Sequence, residues 1–248
     1  MSQLPQALWL GINPSLKHFD QRLCRLLSRQ VELHYWCYNQ SLDEPCSIQS
    51  ALTLLDDYLQ SQSQPIHLIG HGLSGAVGLL YARLYAHRVK SLTLLSVGSH
   101  PAVSWHAHYY VLRNRLPCDR SMILMQMANM LFCCQSRSKL VGLAQLLEKV
   151  LDSELAPHSL VEHQPFSPGG VNVPLLVCRG AHDVIVDSSA HAHWQPFLKT
   201  GDRLWTCPEG RHFFQHTHVP QTSGVILDFW YQTASPLAET PLIEIFSP

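Results

Sequence analysis

The sequence predicts an α/β protein, with a mostly parallel central sheet flanked by helices and one purely helical stretch inserted in it. Three observations carry this reading. Short apolar runs alternate with helix-period segments from the N-terminus to about residue 100, as happens when strands return through helices to pair in parallel. The alternation stops between residues 101 and 165, where helical stretches follow one another without a strand, and resumes at residue 173. The tightest punctuation, Gly70-His71-Gly72-Leu73-Ser74-Gly75, separates the apolar run Ile66-His67-Leu68-Ile69 from a helix packed through Ala76, Leu79, Leu80 and Ala82, which reads as strand, sharp turn, helix.

Element by element, Ala7-Leu8-Trp9-Leu10 is a first strand that runs into the loop Gly11-Ile12-Asn13-Pro14-Ser15. Phe19, Leu23, Leu26 and Leu27 then mark the apolar face of a helix. Val31-Glu32-Leu33-His34-Tyr35-Trp36 alternates and is rich in β-branched and aromatic residues, a second strand. Ser47 caps a helix over 47–59 that carries Ile48, Leu52, Leu55 and Leu59 at helical spacing. The glycine turn follows, then a buried strand over 89–97. The insertion reads as helices over 103–114, 119–134 and 138–151. A strand over 173–178, a helix over 188–198, a strand over 202–206 and a helix over 219–231 complete the pattern. The tail from Thr233 holds three prolines and reads as an extended strap. The expected organisation is a core of residues 1–100 and 166–248 around an insertion of residues 101–165.

Composition narrows the function classes. A chain of 248 residues with 46% apolar and 14% charged residues has enough apolar side chains for one large core. Net charge is −1 and the cations are scattered, so no electrostatic footprint for nucleic acid exists. The first residues lack a charged and apolar leader pattern, and no window offers about 20 apolar residues for a transmembrane segment, so the expected location is cytoplasmic. Of the 8 cysteines, Cys24, Cys37, Cys178 and Cys207 lie in apolar runs, the usual setting of reduced core thiols.

The glycine turn resembles the G-x-S-x-G nucleophile elbow of the α/β-hydrolase fold superfamily. Two later loops resemble that family as well: Arg179-Gly180-Ala181-His182-Asp183-Val184-Ile185-Val186 is similar to its acid loop, and Pro208-Glu209-Gly210-Arg211-His212-Phe213 to its histidine loop. The order elbow, acid, histidine matches, and the helical insertion falls where the family carries its cap, so the resemblance spans residues 5–232. It implies an α/β-hydrolase core with a helical cap, Asp183 and His212 as acid and base, and backbone N–H groups of Ile12 or Asn13 and of Leu73 as the oxyanion hole. The chain departs from the pattern at Gly72, which stands in the serine slot, at Gly11-Ile12 in place of His-Gly, and at Arg211 before the histidine. The nearest hydroxyl, Ser74, falls two residues after Gly72, where the family geometry packs it inside the elbow.

Other chemistries fit less well. Gly70-x-Gly72-x-x-Gly75 satisfies a dinucleotide-binding pattern, but it occupies the third strand-to-helix turn and no acidic residue ends the next strand. The 16 histidines show no ligand spacing with a carboxylate, so neither a metal nor another cofactor is expected. Met122, Met125, Met127 and Met130 cluster in one helix of the insertion, either as its core or, with Trp105 upstream, as the lining of a cavity for an apolar ligand. Two functional readings follow. In the first, the chain is a catalytically silent hydrolase relative that binds an apolar small molecule or a protein partner. In the second, the Asp183/His212 dyad acts as a hydrolase or lyase on an apolar substrate without a covalent intermediate.

Overall fold

The computed structural model describes residues 5–39, 41, 43, 47–100, 103–132, 136–154 and 167–234. The apolar runs form six strands: β1 (Gln6–Gly11), β2 (Glu32–Cys37), β3 (Ile66–His71), β4 (Val89–Leu95), β5 (Leu175–Gly180) and β6 (Arg203–Cys207). They pair in the order β2-β1-β3-β4-β5-β6, every pair parallel. The inner strands β3 and β4 are buried almost throughout because helices cover both faces, which is why their sequences are continuous apolar runs and not alternations.

On one face, α1 (Lys17–Leu27) and α9 (Val219–Ala234) bury Leu23, Leu27, Phe229 and Trp230 against Trp9, Ile69 and Leu176. On the other, α2 (Ile48–Gln60) and α3 (Gly72–Leu84) bury Leu55 and Val77 against Leu8, Leu68 and Leu92. A third apolar cluster joins α4 (Trp105–Arg115), α5 (Arg120–Leu131) and α6 (Arg137–Ser153) to Phe19, Ile185 and Phe213, residues that follow the C-terminal ends of β1, β5 and β6. The insertion helices therefore pack over the strand ends, where open α/β sheets place their crevice.

Caps fix the helix starts. Ser47 Oγ accepts the N–H of Ser50, Ser104 Oγ that of Ala107, and Asp119 Oδ1 that of Met122. The expected helix over 188–198 is instead the short α7 (Ser188–Ala192) followed by a 3-10 turn at Gln195–Phe197, since Pro196 has no N–H to continue an α-helix. The strand expected from residue 173 begins at Leu175, just after Pro174. The strand expected to reach residue 97 ends at Leu95, because Ser96 turns into the left-handed region at φ 52. The last helix, β6 and short α8 (Phe214–Thr217) complete the described core, and the tail beyond residue 234 lies outside the described residues. No described helix is long and apolar enough to cross a membrane, and the five described cysteines are free thiols.

Candidate active-site crevice

The glycines of the β3–α3 turn have separate physical jobs. A Cβ on Gly70 would stand 2.6 Å from the backbone N of Gly75, and one on Gly75 would stand 2.6 Å from Val97 Cγ2, so strand and helix cross at a distance only glycines allow. Gly72 opens α3 at φ 51, a left-handed conformation, and a Cβ built there meets a single neighbour, His212 Nε2, at 3.9 Å.

His212 and Asp183 come from the loops after β6 and β5. His212 Nδ1 lies 3.0 and 3.2 Å from the two oxygens of Asp183; since a carboxylate only accepts, Nδ1 carries a proton toward it. Asp183 Oδ1 also accepts the N–H groups of Ile185 and Val186. Burial works against a charged Asp183, but the His212 ring and these N–H donors outweigh it and hold the carboxyl well below the usual range. The carbonyl of His212 accepts from His71 Nε2 at 2.9 Å and from Ser96 Oγ at 2.8 Å, which fixes the loop from behind. Burial, reinforced by the neighbouring His212, pushes His71 down to about 3, so it is a neutral donor near pH 7. His212 itself is 1% exposed, and its Nε2 has no hydrogen-bond partner among the described residues.

The two backbone groups expected to form an oxyanion hole differ. The Ile12 N–H donates to Ser74 Oγ at 2.9 Å and is thus already engaged, while Asn13, the other residue expected to supply that donor, lines the small cavity beside Gly72. Ser74 is buried inside the elbow, its hydroxyl engaged with the β1 loop. Leu73 lies in the first turn of α3, beside Gly72, where helix N–H groups lack intrahelical partners. Between these elements is a cavity of about 20 Å³ lined by Gly72, Leu73, Ser74, His71, Asp20 and Tyr35, room for about one water-sized molecule.

The methionine expectation is corrected. Met127 is fully buried in the third apolar cluster, Met122 is 59% exposed, and Met125 and Met130 pack at its margin, so the four do not share one surface. Spacings of three, two and three residues at about 100° each fan them around α5 instead of aligning them. Trp105 is buried and lines the small cavity beside Gly72, away from a methionine pocket. Arg211, unexplained by the family pattern, donates through Nη1 to the carbonyls of Asn129 and Phe132, and Phe213 N donates to Leu131 O at 3.2 Å. The histidine loop is thereby tied to the C-terminal end of α5.

The sequence reading missed Asp20. It is buried, accepts from Trp9 Nε1 at 3.0 Å and Gln215 Nε2 at 3.2 Å, and lines the small cavity. Burial raises its carboxyl to about 7, with the two donors only partly offsetting the effect. Its signal was available: Asp20 lies three residues before Leu23 and seven before Leu27, a carboxyl on the apolar face of a helix. The roles of His71 and Ser96 depend on contacts with a loop more than a hundred residues away and carry no local signature.

No family model matches the chain. The uncharacterized protein sll0249 of Synechocystis sp. is 42% identical over 223 residues, covering 90% of this chain and 89% of that protein. The uncharacterized protein alr2406 of Nostoc sp. is 38% identical over 231 residues, covering 93% and 92%. Among solved structures, a meta-cleavage product hydrolase from Pseudomonas fluorescens superposes with a TM-score of 0.65 at 14% identity, covering 93% of this chain and 92% of that one. An epoxide hydrolase from Vigna radiata gives 0.64 at 14% identity over the same shares. At that identity the likeness is one of fold, and the fold is the α/β-hydrolase fold with a parallel sheet.

Proposed function

We propose that this chain, which belongs to one family with the Synechocystis and Nostoc proteins and has the α/β-hydrolase fold, is a hydrolase relative without a covalent nucleophile that works by binding an apolar small molecule. The observation that carries this reading is Gly72: where a base needs a hydroxyl to deprotonate, a glycine at φ 51 faces His212 Nε2. In serine hydrolases, loss of the nucleophile costs on the order of a millionfold in rate. The nearest hydroxyl, on Ser74, is committed to Ile12 N–H. On this reading the insertion helices serve as a cap packed over the strand ends, above the small cavity beside Gly72.

A second reading is favoured by one observation, the unpartnered and buried His212 Nε2 beside a charged Asp183. Such a dyad can take a proton from a bound water or from an acidic carbon, with Asp183 stabilising the imidazolium that forms and the Leu73 N–H facing the developing oxyanion. This is hydrolase or lyase chemistry without an acyl-enzyme.

A fluorophosphonate probe and an activated ester test both readings. The protein is expected to take up no label and to turn over the ester no faster than His212→Ala. Stoichiometric labelling at Ser74 would end the proposal, whereas ester turnover that is unlabelled yet lost in His212→Ala would favour the dyad. Gly72→Ser should gain slow, His212-dependent labelling. Its hydroxyl would come within reach of Nε2, but the left-handed backbone costs about 1–2 kcal/mol.

A further inference from the structure

A groove of about 470 Å³ runs between α1, α6 and the residues after the histidine loop. Its floor is apolar: Phe19, Phe132, Leu143 and Leu146 extend the third apolar cluster to the surface. Its rim is basic: His18, Lys139 and His216 border it, and none of its described lining residues is acidic. Lys139 has no ion-pair partner among the described residues, and His216 Nδ1 is buried without a hydrogen-bond partner. The groove is separate from the space above Gly72. Phe213 stacks on Phe132 with centroids 4.4 Å apart and an interplanar angle of 6°, while toward the crevice it meets His71 and His212. A wall of aromatic rings therefore divides the two.

Volume and lining match a small-molecule site, for which about 300–1,000 Å³ with an apolar lining and a few polar groups is usual. Lys139, with two imidazoles beside it, offers the charge that a carboxylate at the end of an apolar chain needs to offset its desolvation. We propose that this groove binds an amphipathic monocarboxylate, its chain along Phe19, Phe132, Leu143 and Leu146 and its carboxylate at Lys139 and the two histidines. The inference rests on the binding-protein reading above and gives it a site and a ligand class.

Titration with decanoate, kept below its micellar concentration, tests it by calorimetry and by melting temperature, with decanol and decylamine as neutral and cationic comparisons. Decanoate should bind saturably at one site and raise the melting temperature, with decylamine at least about tenfold weaker. Gly142→Trp is the decisive variant. A Cβ on this exposed α6 glycine meets no atom within 4 Å, so the ring can fill the groove without disturbing the fold. It should abolish decanoate binding while the apo melting temperature is kept. Lys139→Glu should weaken decanoate about three- to tenfold and leave decanol unchanged. Absence of saturable binding, or equal binding by wild type and Gly142→Trp, overturns the proposal. The no-nucleophile reading is judged separately, by fluorophosphonate labelling, so failure of one is distinguishable from failure of the other.

Discussion

Asp20 and Asp183 are both buried near the crevice, yet their surroundings drive them in opposite directions. Asp183 faces a histidine and two backbone N–H groups, and charge is favoured. Asp20 has only neutral donors, Trp9 and Gln215, and burial lifts it to about 7. A carboxyl whose folded pKa is raised keeps its proton in the native state after the unfolded chain has released it. Its contribution is thus fully present below the unfolded value of 3.8 and is lost as pH rises to about 7. At roughly 1.4 kcal/mol per pKa unit the loss across that window is on the order of 4 kcal/mol. Urea unfolding of wild type and Asp20→Asn between pH 4 and 8 should show the wild type losing stability relative to the variant as pH rises. A constant difference across the window would mean that Asp20 is already ionised in the native state.

At the scale of elements, α5 shows how composition and placement part company. Its methionines and aliphatic residues read as one apolar helix, but packing gives each methionine a different fate. Met127→Ala should cost about 2–5 kcal/mol, since Met127 is fully buried in the cluster shared by α4, α5 and α6. Met122→Ala should stay within about 0.5 kcal/mol, since its side chain is mostly in water. Denaturant midpoints of the two variants decide this, and similar losses would contradict the placement. The C-terminal end of the same helix meets Arg211 and Phe213, so that end and the histidine loop form one hydrogen-bonded unit.

Across the whole molecule, three buried histidines, two at opposite ends of β3 and one in α7, share one electrostatic condition. His67 in β3, bonded to Ser91 and stacked on Trp230, is held at about 3, His71 at about 3 and His191 at about 4, burial being the main cause in each. For a histidine with a lowered folded pKa, the unfolded chain binds more protons between that value and 6.5. Stability therefore falls as pH drops below 6.5. Asp20 opposes this within part of the window, but it is one group against three, and Asp183 adds to the loss at still lower pH. Denaturation midpoints should decline steadily from pH 7 to pH 4, less steeply in His67→Gln. A midpoint independent of pH over that range would contradict the neutral state of these side chains.

The sequence alone determined the alternation of strands and helices, the parallel sense of the sheet, the break for the insertion helices, and the chain order that sets Gly72, Asp183 and His212 just after β3, β5 and β6. These follow from local physics: hydrophobic period, cap residues, and the right-handed return of a strand through a helix. Only the tertiary structure decided that Ile12 N–H turns to Ser74, that α5 fans its methionines apart, and that Asp20 meets Gln215 from 195 residues away. It also decided that Phe19, Phe132 and α6 converge on one groove. Each depends on which way a side chain or N–H points once distant elements are packed, and hydrophobic period constrains the buried face of an element without fixing the partner that face will meet.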